Sequence, residues 1–257
     1  MGNRISSKEN RVYKACVRLT RKKYRDREKR YLIEGENLIR EALCSGVRIE
    51  SILVREGAYP EGTFSSEEYT LSEALFDRIA QTETSQGVLA IVEKPEYGPE
   101  ETARIWKTGS NLVVLDRLQD PGNIGTIIRT AEGAGYAAVL CMRGTADVYS
   151  PKVVRAAAGS LFRMPILLAE DEAELIRLAH EHGKQLTVTC FSGAVRYDEA
   201  GLNRDIALVI GNEGNGCSET LIESADVRVR IPMNGQLESL NASVAAGILM
   251  YEAIRNK

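Results

Sequence analysis

The feature that most constrains this chain is the spacing of short apolar runs through its second half. NLVVLD (111–116), AAVLCM (137–142), MPILL (164–168), QLTVTCF (185–191), IALVIG (206–211) and VRVRI (227–231) each have the length and composition of a strand. Helical patterns lie between them, near Ile124–Ala134, Lys152–Ser160, Glu172–His182 and Ser218–Ser224. Apolar strands separated by helices are buried on both faces, which predicts a mostly parallel sheet with helices on both sides. A last helix is expected from about Leu240 to Arg255, with Leu240, Val244, Ile248 and Tyr251 along one face. Connection rules alone predict an open, unknotted sheet. Ligands of such sheets bind beyond the carboxyl ends of the strands, so the loops at that edge are where chemistry is expected.

The first half reads as a smaller α/β unit. YLIEG (31–35) is a short strand, and ENLIREALCSG a helix closed by Gly46. A strand around Ile52–Val54, a helix near Ser72–Gln81 and the strand GVLAIVE (87–93) follow. Pro, Gly and charge then gather in EKPEYGPEETARIWKTGSN (93–111), where apolar periodicity fades. The expected organisation is a substrate-facing unit over 1–95, a linker over 96–110 and the larger domain over 111–257. The length of 257 residues suits two such domains.

The net charge of -3 conceals an uneven distribution. Residues 1–30 hold twelve Lys and Arg (Arg4, Lys8, Arg11, Lys14, Arg18, Arg21, Lys22, Lys23, Arg25, Arg27, Lys29, Arg30) against Glu9, Asp26 and Glu28, twelve minus three, a local balance of +9. Such a block suits phosphate contacts, and Tyr13, Tyr24 and Tyr31 among the charges suit stacking on bases. A solvated basic helix with no partner is the alternative that this stretch leaves open.

Cys16, Cys44, Cys141, Cys190 and Cys217 are far apart and include no CxxC pair, which reads as idle thiols in a reducing compartment. With only His180 and His182 beside them no zinc-ligand spacing exists, and no metal is expected. No apolar run approaches the ~20 residues of a membrane span, and the N-terminal stretch lacks the apolar core of a secretory signal. A cytoplasmic protein without a membrane partner is the expectation.

Three loops at the carboxyl edge have unusual composition. In DRLQDPGNIGTIIRTAEGAG (116–135) a strand ends, Pro121 and Gly122 turn the chain, and Asn123 stands where a helix N-cap belongs. Arg129, six residues on, points away from the apolar stripe of Ile124, Ile127, Ile128 and Ala131, and Gly135 closes the helix. In IALVIGNEGNGCSE (206–219), Gly211, Gly214 and Gly216 follow a fully apolar strand, so main chain approaches a ligand closely there. The pattern is neither GxGxxG nor a P-loop, which disfavours a nucleotide-dependent oxidoreductase or hydrolase. Glu213 between the glycines is hard to explain as decoration. In IPMNGQLESLNASVAAGILMYE (231–252), Ser239, Asn241 and Ser243 gather at the start of the last helix, which suits a polar ligand. Taken singly, each loop also reads as no more than a cap, a surface charge or a turn.

In this order and spacing the loops resemble the three signature motifs of the SpoU/TrmH methyltransferases, within the knotted SPOUT superfamily. The match runs as Asn123-x-Gly125-x-x-x-Arg129, then Gly211-x-Glu213-x-x-Gly216, then Ile231-Pro232-Met233 through Ser239-Leu240-Asn241-x-Ser243, and covers about 111–257. The basic helix followed by YLIEGENLIREAL is similar to the L30e-like RNA-binding domain that many members carry. The resemblance implies a deep C-terminal trefoil knot in place of the open sheet, with S-adenosylmethionine as cofactor. It further implies 2'-O-methylation of a ribose in structured RNA, with 23S rRNA favoured over tRNA, and a homodimer through the C-terminal domain. Arg129, Asn123, Glu213, Ser239 and Asn241 are the implied catalytic set. Gly211, Ile231, Leu240, Gly216 and Met233 are the implied cofactor set. A non-catalytic RNA-binding protein on the same fold is the competing expectation.

Overall fold

The computed structural model describes residues 3–60, 66–107, 109–202, 205–236 and 238–255. By its internal contacts the chain forms two compact units, Met1–Glu96 with Tyr149–Val154, and Tyr97–Val148 with Arg155–Lys257.

In the first unit the elements run β1 (Asn3–Ile5), α1 (Arg11–Leu19), α2 (Lys22–Glu28), β2 (Arg30–Glu34), α3 (Glu36–Cys44), β3 (Ile49–Arg55), β4 (Glu67–Leu71), α4 (Glu73–Phe76) and β5 (Val88–Glu93). They build a mixed five-stranded sheet in the order β1-β4-β3-β5-β2, with β5 antiparallel to both β2 and β3. Asn10 caps α1 by accepting from the Val12 amide at 2.8 Å. Tyr13, Cys16 and Leu19, three residues apart, then face the core beside Leu32, Leu53 and Leu89. This corrects one expectation. Tyr13 and Tyr31 are 4% and 1% exposed, so they are core residues and not base-stacking platforms. Tyr24 is half-buried and carries the Arg27 guanidinium 4.8 Å above its ring. The helix expected near Ser72–Gln81 shrinks to α4. The polar strands β1 and β4 carry no apolar run to announce them and take their register from β3.

The remaining elements are α5 (Pro99–Ile105), β6 (Leu112–Asp116), α6 (Pro121–Gly133), β7 (Ala138–Met142), α7 (Pro151–Ala157), a 3-10 turn (Ala158–Phe162), β8 (Ile166–Ala169), α8 (Glu172–Glu181), β9 (Gln185–Thr189), β10 (Val195–Arg196), β11 (Ile206–Gly211), α9 (Glu219–Glu223), β12 (Val227–Arg230) and α10 (Ala242–Glu252). The seven-stranded sheet has the order β10-β12-β9-β11-β6-β7-β8, and every pairing in it is parallel. The chain steps outward from β6 to β8, restarts on the other side at β9, and inserts β11 between β9 and β6. Gly211 pairs with Asp116, so the loops after β6 and β11 leave the sheet side by side. β12 lies beyond β9, three strand spacings or roughly 14 Å from β6. The chain leaving β12 must therefore return across the carboxyl edge before α10 packs on α6.

Two further expectations change here. The stretch 96–110 does more than connect, since Ile105 and Trp106 enter the core with Leu112, Leu175 and Leu186. In α10 the buried residues are Ala246, Leu249, Met250 and Ala253, while Val244 and Tyr251 stay 50% and 52% exposed. The apolar face expected from the spacing is thus the one turned largely outward, with Leu240 and Ile248 half-buried along it. The helix is apolar on nearly every side, so periodicity had no polar face to exclude. Gly125, by contrast, is fixed by packing on α6: a Cβ there would lie 2.4 Å from the Ala156 Cβ.

Behind the amino ends of the strands, Lys184 is 2% exposed and directs Nζ to the carbonyls of Lys107 (2.8 Å) and Ser110 (2.6 Å), and to Asp205 Oδ1 (3.1 Å). A buried ammonium is tolerated only when its donors are met in this way. Lys184→Met keeps the volume but strands those acceptors. It is expected to lower the unfolding free energy by about 3 kcal/mol, read from urea denaturation.

Candidate active site

The site begins with the way α6 is capped. Asp120, not Asn123, is the N-cap: its Oδ1 accepts from the Asn123 amide at 2.8 Å, and Pro121 occupies the first helical position. The expected cap at Asn123 is thus corrected, with a consequence. Asn123 sits inside the first turn, 7% exposed, with its side-chain amide free for other elements. Its Nδ2 donates to Glu213 Oε1 at 3.1 Å, and its Oδ1 accepts from Asn241 Nδ2 at 2.8 Å. One residue from each of the three sequence motifs is joined in a single hydrogen-bonded chain.

Glu213 anchors this junction. Oε1 also accepts from the Asp120 amide at 3.0 Å and Oε2 from the Gln119 amide at 3.1 Å. Partial burial alone would raise its pKa, but the two amides and the Asn123 side chain outweigh that and hold the carboxyl below its usual range. A carboxylate so engaged is a poor proton acceptor. It is a clamp.

The loop carrying Glu213 is shaped by its own backbone. Asn212 and Gly216 form an antiparallel bridge, with Asn212 N to Gly216 O at 3.0 Å and the reverse bond at 2.9 Å. A Cβ on Gly211 would lie 2.3 Å from the Cys217 nitrogen, and Gly216 has φ +68. Both glycines are therefore required by the turn itself, whatever ligand it meets.

Sequence reasoning missed four residues. Asp116 is fully buried at the end of β6; its Oδ2 accepts from the Ser218 amide at 2.7 Å and its Oδ1 lies 2.9 Å from Arg117 Nε. Asn212 Nδ2 donates to the Arg117 carbonyl at 2.8 Å, tying the second loop to the first. Gln119 and Asp120 complete the set. An acid closing an apolar strand, and Asp immediately before Pro, were the available signals.

Asn241 is the N-cap of α10, accepting from Ser243 N at 2.9 Å while it donates to Asn123. Ser239 is exposed beside it, and Leu240, Ile231 and Met233 are half-buried. Among the described residues no hydrogen bond engages the main chain of Ile231, Met233 or Leu240. Half-buried apolar side chains with unclaimed amides and carbonyls are a suitable wall for a neutral heteroaromatic ring, and the residues present fit the adenosine part of S-adenosylmethionine. The side chain of Arg129, on the exposed side of α6, makes no hydrogen bond or ion pair among the described residues, so its guanidinium is unclaimed. Among the described residues no group of three His, Cys, Asp or Glu could hold a metal ion.

Over residues 110–251 the chain matches the SpoU rRNA Methylase family, and over 10–90 an MRM3-like substrate binding domain. The chain belongs to the SpoU methylase family. Its members' RNA methyltransferase chemistry, dependent on S-adenosylmethionine and directed to a ribose 2'-oxygen, is its chemistry, and the small mixed sheet is its L30e-like substrate-binding domain. It is 38% identical over 96% of its length, and 97% of the relative's, to the 23S rRNA (guanosine(2553)-2'-O)-methyltransferase RlmP of Bacillus subtilis. Among solved structures it resembles an AdoMet-bound rRNA methyltransferase from Sinorhizobium meliloti (TM-score 0.86, 32% identity, 98% of this chain and 97% of that one). It also resembles the SpoU methyltransferase AviRb from Streptomyces viridochromogenes in complex with AdoMet (TM-score 0.84, 28% identity, 96% and 98%).

The clamp gives a pH prediction for this family member. Because Glu213 is depressed in the folded state, its contribution is complete above the ordinary carboxylate range and is lost as pH falls through its lowered folded value. Hydrogen exchange at the Gln119 and Asp120 amides should stay protected at neutral pH and open only in more acid solution. In Glu213→Ala that protection should be missing at every pH.

Proposed function

We propose that this protein methylates the ribose 2'-oxygen of one nucleotide in 23S rRNA, with S-adenosylmethionine as donor. The observation that carries the reading is the junction of Asn123, Glu213 and Asn241, which ties three distant loops into one edge beside an unclaimed arginine on the same helix. The nearly full-length likeness to an enzyme named for 23S rRNA supports that RNA over tRNA.

When bound, the cofactor supplies an electrophilic methyl group. The chain's residues then position the acceptor and make a weak nucleophile competent. A guanidinium remains protonated at neutral pH, so Arg129 acts as a donor and not as a base. It grips the phosphate next to the target ribose and stabilises the charge that develops on the attacking oxygen. Asn123 and Asn241 fix the start of α6, and with it the setting of Arg129, while Glu213 locks the glycine loop against them. Ser239 shapes the acceptor side. Gly211, Ile231 and Leu240 present main chain to the adenine, flanked by Gly216 and Met233.

The chain returning from β12 is the segment by which the family's trefoil knot forms, with α10 beyond it. The exposed Val244 and Tyr251, with the half-buried Ile248, form an apolar face of α10 that a second copy covers in a homodimer. Cysteines kept as thiols and an RNA substrate fit a cytoplasmic setting. Among the described residues no helix is long and apolar enough to cross a membrane.

Labelled methyl should pass from the cofactor to unmodified 23S rRNA and not to a transcript whose acceptor nucleotide is 2'-deoxy. Transfer that survives the deoxy substitution would mean base methylation. Acceptance of tRNA with rRNA left untouched would overturn the rRNA assignment. Arg129→Ala is expected to lower kcat by about 100-fold or more while calorimetry shows the cofactor still bound.

A further inference from the structure

The twelve cations of residues 1–30 divide into two groups once their partners are known. Seven are committed within the first unit. Arg25 is 5% exposed and donates to the Leu19 carbonyl at 2.8 Å, closing the end of α1. Arg18, Arg27 and Arg30 converge on Glu28, and Arg30 also holds Glu50. Arg4, Lys14 and Lys29 pair with Glu56, Glu9 and Glu96. The other five, Lys8, Arg11, Arg21, Lys22 and Lys23, are exposed, and their side chains make no hydrogen bond or ion pair among the described residues.

These five bracket α1. The helix buries Tyr13, Cys16 and Leu19, so Arg11, Lys14 and Arg18 lie on its opposite side, and the chain turns directly into Arg21-Lys22-Lys23. A nine-residue helix is about 14 Å long, so free cations stand at both ends of a continuous basic ridge. We infer that the outer face of α1, from Lys8 and Arg11 to the Arg21–Lys23 corner, is the surface on which the first unit receives the phosphate backbone of the substrate RNA. Arg25, Arg27 and Arg30 serve the fold instead. The inference rests on the RNA reading given above.

The charge pattern favours a polyphosphate chain over a membrane. Surface-seeking helices set large apolar anchors beside their cations, whereas in α1 and α2 Val17 is the one exposed apolar residue among those described. Contacts of this kind carry no base specificity. They set register and supply affinity that falls with salt.

The test uses the full chain carrying Lys22→Glu and Lys23→Glu. Acidic residues suit the first turn of a helix, so the fold is expected to hold, and an unchanged Tm checks this. On an unmodified 23S rRNA transcript the Kd should rise at least about tenfold, and the plot of log affinity against log salt should flatten by roughly one to two units. KM for RNA should rise with kcat at saturating RNA retained, and S-adenosylmethionine affinity should not change. Arg25→Gln should lower Tm and leave the salt slope as in the parent. Unaltered affinity and slope in the double variant, or weaker binding at an unchanged slope, overturns the inference. If the parent chain binds the transcript but transfers no methyl group, the catalytic reading fails while the binding comparison still judges the ridge.

Discussion

The carboxyl edge of the larger sheet is held together by one carboxylate. Glu213 holds the backbone amides of Gln119 and Asp120 and the side chain of Asn123, and Asn123 passes the connection on to Asn241. Without that clamp, three loops spread over 118 residues of sequence have only their own turn chemistry to fix them. With it, the start of α6, the glycine loop and the start of α10 become one hydrogen-bonded body. Arg129 extends from that body. The arrangement is economical in polar groups: Asn241 serves a helix terminus and an interloop bond together, while Asn123, relieved of capping by Asp120, bonds to both other loops.

A clamp of this type is strong because its partners are dipoles fixed by secondary structure. The amides of Gln119 and Asp120 lie immediately before α6, where backbone donors have no intrahelical acceptor. An ionised acceptor bonds to such donors more strongly than a neutral one does. The same logic accounts for Asp116, which meets the Ser218 amide at the other end of the glycine loop. Two carboxylates therefore grip the loop, one at each end. The glycines between them allow a turn too tight for any side chain.

In the first unit the basic segment shows how composition misleads when it is read as one block. Glu28 gathers three arginines, and Arg25 closes a helix end, so much of the positive charge is consumed by folding. The tyrosines among these charges illustrate the same point. Tyr13 and Tyr31 are buried, because an aromatic ring three residues from Cys16, or on the inner face of the edge strand β2, is worth more buried than exposed.

From sequence alone, the apolar runs determined six of the seven strands of the parallel sheet, all but the short β10, and the residue types in three loops determined the family. Period and composition are local, and these signals are strong locally. Only the tertiary structure decided what is non-local: that β11 lies beside β6, that Asp120 and not Asn123 caps α6, and which face of α10 is buried. The reasons are physical. Strand order is set by connections that leave no mark on either strand. A cap is awarded to whichever side chain reaches the amide, and here the proline at the first helical position gave it to Asp120. A helix apolar all round carries no record of its neighbours, so its buried face was fixed only when Ala246, Leu249 and Met250 met their partners.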